Sequence, residues 1–147
     1  SHEEWERRDR LGSSMPAPAP LGIAERAIRL LGDRASVPGV ARAASRLIGE
    51  LEERRARADE VSRALSIAVG NGPDAVAAAI AAGAIERDLG LGLARRATDA
   101  LVAASGGGAM SLDHPAQRLS REATFFLIQA QTGELRAASL TRVAEEH

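Results

Sequence analysis

From Leu21 onward, apolar residues recur at three- and four-residue spacing almost without pause, the periodicity of helices that bury one face. In "LGIAERAIRLLGD", Ile23, Ala27, Leu30 and Leu31 form one stripe, and Gly32 is placed to end the helix. A longer segment from Val37 to Gly72 carries Val40, Ala44, Leu47, Ile48, Leu51, Ala58, Val61, Leu65 and Ala68 at helical spacing. It stops at Gly70-Asn71-Gly72, and its polar middle, "EERRARADE", is expected to stand clear of the core on several faces. Pro73 and Asp74 suit a helix start, and the segment from there to Ser105 amounts to about nine turns at the α-helical rise. Its stripe is Val76, Ile80, Ile85, Leu89, Leu93, Ala97, Leu101 and Val102. Gly83, Gly90 and Gly92 either weaken this helix or let a neighbouring backbone come close.

Three glycines, Gly106 to Gly108, separate this segment from "HPAQRLSREATFFLIQAQ" and "TGELRAASLTRVAEE", which read as the last two helices. Strand-like alternation is nowhere sustained, and no repeat of fixed period is present. The pattern predicts an all-α protein, an antiparallel bundle of four to five helices joined by short loops. Upstream, the first 14 residues read as a charged helical arm, with Glu3/Arg7, Glu4/Arg8 and Glu6/Arg10 at i,i+4. Its apolar content is little beyond Trp5 and Leu11, so the arm needs a surface to dock on or stays mobile. The alternating prolines of "SSMPAPAP", Ser13 to Pro20, predict an extended linker. The division expected is therefore arm and linker over 1–20 and a bundle domain over 21–147.

The length of 147 residues suits one domain with a single core. Cysteine is absent, which excludes disulfides, thiolate metal sites and a cysteine nucleophile, and fits a cytoplasmic location. No apolar run approaches the length of a membrane span, and the charged N-terminus lacks the apolar core of a signal peptide. All 19 basic residues are arginine, yet the net charge is -1 with both signs interspersed. Nucleic-acid binding is not expected, because there is no basic stripe and aromatics make up only 2% of the chain.

Candidate chemistry is sparse. The glycine triplet follows a helix and lacks the lysine of a phosphate loop, so local rules favour a helix C-cap and turn. His114, between Asp113 and Pro115, has no second histidine or carboxylate cluster at ligand spacing, and a metal site is not expected. Ser111, Ser120 and Ser139 lack a nucleophile context. Glu50, Glu52, Glu53, Asp59 and Glu60 are interleaved with arginines, as on a solvated face, while Glu25, Glu86 and Glu122 lie near stripe edges.

One larger pattern appears when Gly106 and Gly107 are taken with Pro115, Leu119, Arg121, Ile128 and Thr132. From Ala103 onward the chain resembles, without a gap, the close of the helical C-terminal domain of acyl-CoA dehydrogenases. There a helix ends in Q-x-x-G-G-x-G-aromatic, and Pro, L-x-R-D, I-x-E-G-T and a last helix follow. "LGIAERAIRL" resembles the first helix of that domain, and Arg34 in "GDRASV" takes the arginine of its R-x-x-F-G turn. The resemblance spans roughly Leu21 to Glu146. It implies FAD as cofactor, with Arg34, Gly106, Gly107 and Thr132 facing it, and assembly as a dimer or tetramer in which one subunit touches a neighbour's flavin.

The departures are equally specific. Ala130 stands where many members carry the glutamate that removes the α-proton. Ala103, Ala109, Met110, Glu122 and Val37 replace the family's glutamine, third glycine, aromatic, aspartate and phenylalanine. Some relatives place the base on or before the first helix, which makes Glu25, and more remotely Asp9, the acids to consider. The N-terminal helical and middle β-domains that complete such a site are not encoded here. The resemblance thus implies a C-terminal domain or partial subunit of an FAD-dependent oxidoreductase, active only with missing domains or a partner chain. The alternatives are a non-catalytic, self-associating scaffold or regulator built on the same bundle, and an unrelated helical bundle.

Overall fold

The extended linker that the alternating prolines predict is cut short: Pro16 lies in a break between helices, but Pro18 and Pro20 are helical. A computed structural model describes residues 1–129 and 132–145, apart from the side chains of Arg7, Arg8 and Ser14. In it, helix α1 runs His2–Ser14 and α2 Pro18–Gly32, leaving only 15–17 outside helix. Pro18 and Pro20 sit in the first turn of α2, where backbone N–H groups have no intrahelical acceptor, so a missing one costs nothing. Pro20 is buried there.

The other helices are α3 (Val40–Ala68), α4 (Pro73–Ser105), α5 (Pro115–Ile128) and α6 (Gly133–Glu145), with a 3-10 turn at Gly106–Met110. No strand occurs among the described residues, and the protein is an all-α helical bundle with five helices following the arm. Helix α3 begins three residues later than its pattern suggests. Tight turns (Val37 N to Arg34 O, 2.9 Å; Val40 N to Val37 O, 3.1 Å) occupy the approach, and Gly39 takes φ 88°, a left-handed conformation that glycine adopts freely.

The chain divides into two compact units, and two of the four boundaries fall inside helices, at 55/56 in α3 and 89/90 in α4. The arm unit comprises Ser1–Ala17, Ala56–Leu89 and Ala130–His147. Its apolar centre is Val61, Leu65 and Ile80, against which Leu11 of the arm packs with Val76 and Ala79. The arm is also tied by an Arg10–Glu134 ion pair and by Arg87 Nη1, which donates to the Ser13 carbonyl at 2.8 Å. Glu6 pairs with His2 at 3.1 Å. The pairings expected for Arg7 and Arg8 lie outside the described side chains. Buried Asp88 on α4 accepts from Ser139 Oγ and from Arg142 Nε of α6, each at 2.6 Å.

The turn unit comprises Pro18–Arg55 and Gly90–Gln129 and holds the larger core. Leu31, Leu93, Leu101 and Leu119 are fully buried, each contributing roughly 2 kcal/mol of transfer free energy. Ala24, Ala27, Ala97, Ala116 and Ala123 lie among them, small enough for the helix backbones to come close. Gly83, Gly90 and Gly92 are all buried, and a Cβ on Gly90 would sit 3.5 Å from Leu21.

Two stripe positions depart from expectation: Ile48 is 45% exposed and Ile85 57% exposed. Ile85 follows buried Ile80 by five residues, a rotation of about 140° around the helix. The charged middle of α3 behaves as expected, its mostly exposed residues forming pairs such as Arg54–Glu53 at 2.6 Å and Arg57–Glu60 at 2.5 Å.

Candidate functional site

Polar side chains from three parts of the sequence meet at one corner of the turn unit. Helix α4 ends at Ser105, and Gly106 with φ 58° takes the left-handed position that closes a helix. The Gly106–Met110 turn follows, and Ser111 and His114 are held by hydrogen bonds to the Gly108 and Ser111 carbonyls. His114 is the N-cap of α5, with Pro115 in the first helical position. Its Nδ1 accepts from the Ala116 N–H at 3.1 Å.

Arg34 reaches this corner from the turns between α2 and α3. Its Nε donates to Ser105 Oγ at 2.8 Å, and its Nη2 lies 3.2 Å from His114 Nε2. The Ser105 hydroxyl in turn donates to the Leu101 carbonyl at 2.7 Å. Arg34, Ser105 and His114 are half-buried, and among the described residues Arg34 has no carboxylate partner. Gly106, Gly107 and Gly108 are exposed, and a Cβ added to any of them would meet nothing within 4 Å.

Three of the four residues expected to face a cofactor, Arg34, Gly106 and Gly107, are therefore brought to one place. Thr132 belongs to the arm unit, where it starts α6: its Oγ1 accepts from the Leu135 N–H at 3.3 Å and its carbonyl from Arg136 N–H at 3.0 Å. Ala130, at the position of the family's base, lies outside the described residues.

Glu25 is exposed on α2 and accepts from Arg55 Nη2 of α3 at 2.7 Å. The Arg55 guanidinium, through its hydrogen bond and then its charge, with a smaller share from Arg29, holds the Glu25 carboxyl below the usual carboxylate range. A general base needs the opposite shift, toward neutrality. Glu25 lines a groove of about 760 Å³ between α2 and α3, with Ile28, Ile48 and Leu51 among its apolar walls. Asp9 is exposed on α1 in the arm unit.

Sequence reasoning missed Ser105 as a member of the corner and gave His114 no ligand-facing role. Pro115 suits the first position of a helix, which marks His114 as its N-cap position, and that was the available clue. It also missed Asp88, which is 3% exposed, but whose two oxygens are both taken by Ser139 and Arg142, as in a structural tie. Among the described residues no cluster of three His or acidic side chains could hold a metal, and no helix is long and apolar enough to cross a membrane. No family model, curated protein or solved structure matches the chain.

Proposed function

We propose that the chain is the helical domain or partial subunit of an acyl-CoA dehydrogenase-like flavoprotein, presenting its Arg34–glycine corner to a flavin held largely by another chain. The observation that carries this reading is the meeting of Arg34 with Ser105, 71 residues away, directly before the Gly106–Gly107 pair. Arg34, Gly106 and Gly107 are three of the four residues that the sequence resemblance assigns to the flavin, and support comes from that convergence and the resemblance alone.

The residues suit binding better than proton chemistry. A guanidinium without a carboxylate partner and an open glycine backbone can receive an anionic, flat group at close range. A bound flavin would supply the hydride acceptor that the chain lacks. Arg34 would fix its position through charge, and Gly106 and Gly107 would let it approach the main chain. Glu25, held in its ionised form by Arg55, is not poised to take a proton, so the base is supplied elsewhere.

The test is a flavin titration, read by absorbance and fluorescence quenching, of the chain alone and mixed with neighbouring gene products that carry a β-domain. The expected result is a bound-flavin spectrum with the correct partner, weakened about tenfold by Arg34→Gln, a typical loss for one charge-assisted contact. Gly107→Ala should weaken it with the helical circular dichroism unchanged, because the added methyl meets nothing in the free chain. Absence of bound flavin with every partner would defeat the reading.

A second reading, a non-catalytic self-associating scaffold, is favoured by Met110, Leu112, Phe125 and Ile128, all more than half exposed in the turn unit. It predicts a dimer or tetramer by sedimentation velocity that Leu112→Glu and Phe125→Glu dissociate. A strict monomer counts against both readings.

A further inference from the structure

The turn unit carries an open groove and, elsewhere on its surface, a bare helix face that complements it. The groove between α2 and α3 has Ile28, Ile48 and Leu51 on its floor, and Ile48 is exposed there although apolar. Glu25 and Arg55 satisfy each other across it at 2.7 Å. That leaves Arg26 and Arg29 on the α2 wall and Glu52 on the α3 wall, none of which forms an ion pair among the described residues. The groove is therefore apolar below, basic on one side and acidic on the other.

Helix α5 presents the counterpart. Phe125 and Ile128, at i,i+3, are each more than half exposed. Arg121 and Glu122 lie one turn earlier, and a step of about 100° per residue sets them on opposite flanks of the Phe125 stripe. Arg121 forms no ion pair among the described residues, and Glu122 reaches Arg118 only at 3.6 Å. Phe126 packs against the core and meets the Phe125 ring edge to face, centroids 5.7 Å apart. That contact orients the exposed ring before any partner arrives, which lowers the cost of binding through it. No residue of α5 lines the groove, so these are two separate surfaces of one unit.

We propose that the α2–α3 groove receives the C-terminal half of α5 from a second copy of the chain. Phe125 and Ile128 lie on the apolar floor, Glu122 faces Arg26 and Arg29, and Arg121 faces Glu52. Running the helix the other way would set Glu122 against Glu52 and Arg121 against the arginines, so charge fixes its direction. The contact joins two different surfaces, groove to helix, instead of one patch to its own equivalent. It rests on the self-associating reading and supplies the receiving surface which that reading leaves open.

The test is sedimentation velocity of the full chain over a concentration series, with circular dichroism as the check on folding. The wild type should associate, and Ile48→Glu and Phe125→Glu should each weaken association about tenfold or more. An equimolar mixture of the two variants should recover a two-copy species, because one brings an intact α5 and the other an intact groove. Arg29→Glu, an exposed change that leaves the apolar floor alone, should weaken association and be rescued by mixing with Glu122→Arg.

Dissociation by Phe125→Glu with no effect of Ile48→Glu or Arg29→Glu overturns the groove while the self-associating reading stands. Loss in both single variants without recovery on mixing also overturns it, since each surface would then meet its own equivalent. A strictly monomeric wild type defeats the proposal and that reading together.

Discussion

At the scale of single residues, the two most informative groups are carboxylates with opposite surroundings. Asp88 is buried and satisfied twice, by Ser139 Oγ and Arg142 Nε. Removing its charge leaves the Arg142 guanidinium facing a neutral amide in a poorly solvated place. Asp88→Asn should lower the unfolding free energy by about 3 kcal/mol in a urea titration, and Ser139→Ala by about 1 kcal/mol. Equal, small effects would mean that water replaces the pair.

Glu25 stands in solvent beside Arg55, and its folded-state pKa lies below its ordinary value. A lowered folded pKa gives stability that is complete above the unfolded pKa and lost as pH falls through the folded one. The wild type should therefore exceed Glu25→Gln in thermal midpoint at neutral pH, with the gap closing in acid. A gap that widened in acid would contradict the Arg55 pairing.

At the scale of elements, the arm packs its apolar side through one residue, beside its polar ties to Glu134 and Arg87. Trp5 is 63% exposed, so Leu11 is the apolar anchor of α1 against Val61, Leu65 and Ile80. Leu11→Ala should release α1, costing about 1–2 kcal/mol for a half-buried leucine, and its amides should exchange at the rate of an isolated helix. Protection that persisted would assign the docking to the Arg10–Glu134 pair.

The helices themselves were legible in the sequence, because a stripe such as Leu93, Ala97, Leu101 repeats at four residues and has one face to bury. The exceptions have local causes. "PAPAP" carries the composition of a linker, but Pro18 and Pro20 fall where a helix tolerates proline. Ile48 and Ile85 are apolar in type, yet the helix turns them outward, and a residue list carries no phase. At the corner, Arg34 and the glycine pair could be singled out from motif spacing. Ser105 and His114 could not, since their roles depend on a contact closed by the packing of α2, α4 and α5. Asp88 was hidden for the same reason: a single acid in a mixed segment acquires meaning only once α6 lies beside it.

At the scale of the whole molecule, the two units have unequal means of holding together. The turn unit buries Leu21, Ile23, Ile28, Leu31, Leu47, Leu51, Leu93, Leu101 and Leu119 in one cluster, while the buried cluster of the arm unit is Val61, Leu65 and Ile80. The arm unit relies more on polar ties, Asp88–Arg142 and Arg10–Glu134 among them, and salt bridges of the exposed kind add little. Opening free energies within one protein follow local apolar burial. Both units share α3 and α4, so the contrast should run along the length of a single helix. In native-state hydrogen exchange, amides of α4 after Gly90 should exchange only with global unfolding, and those before Leu89 through a lower-energy opening that also exposes α6. Leu93→Ala, at a fully buried site, should lower the global limit by about 3–5 kcal/mol while leaving the arm-unit opening nearly unchanged until the two converge. Uniform protection along α4 would show instead that the helix unfolds as one cooperative element, with the polar ties of the arm unit as strong as the leucine core.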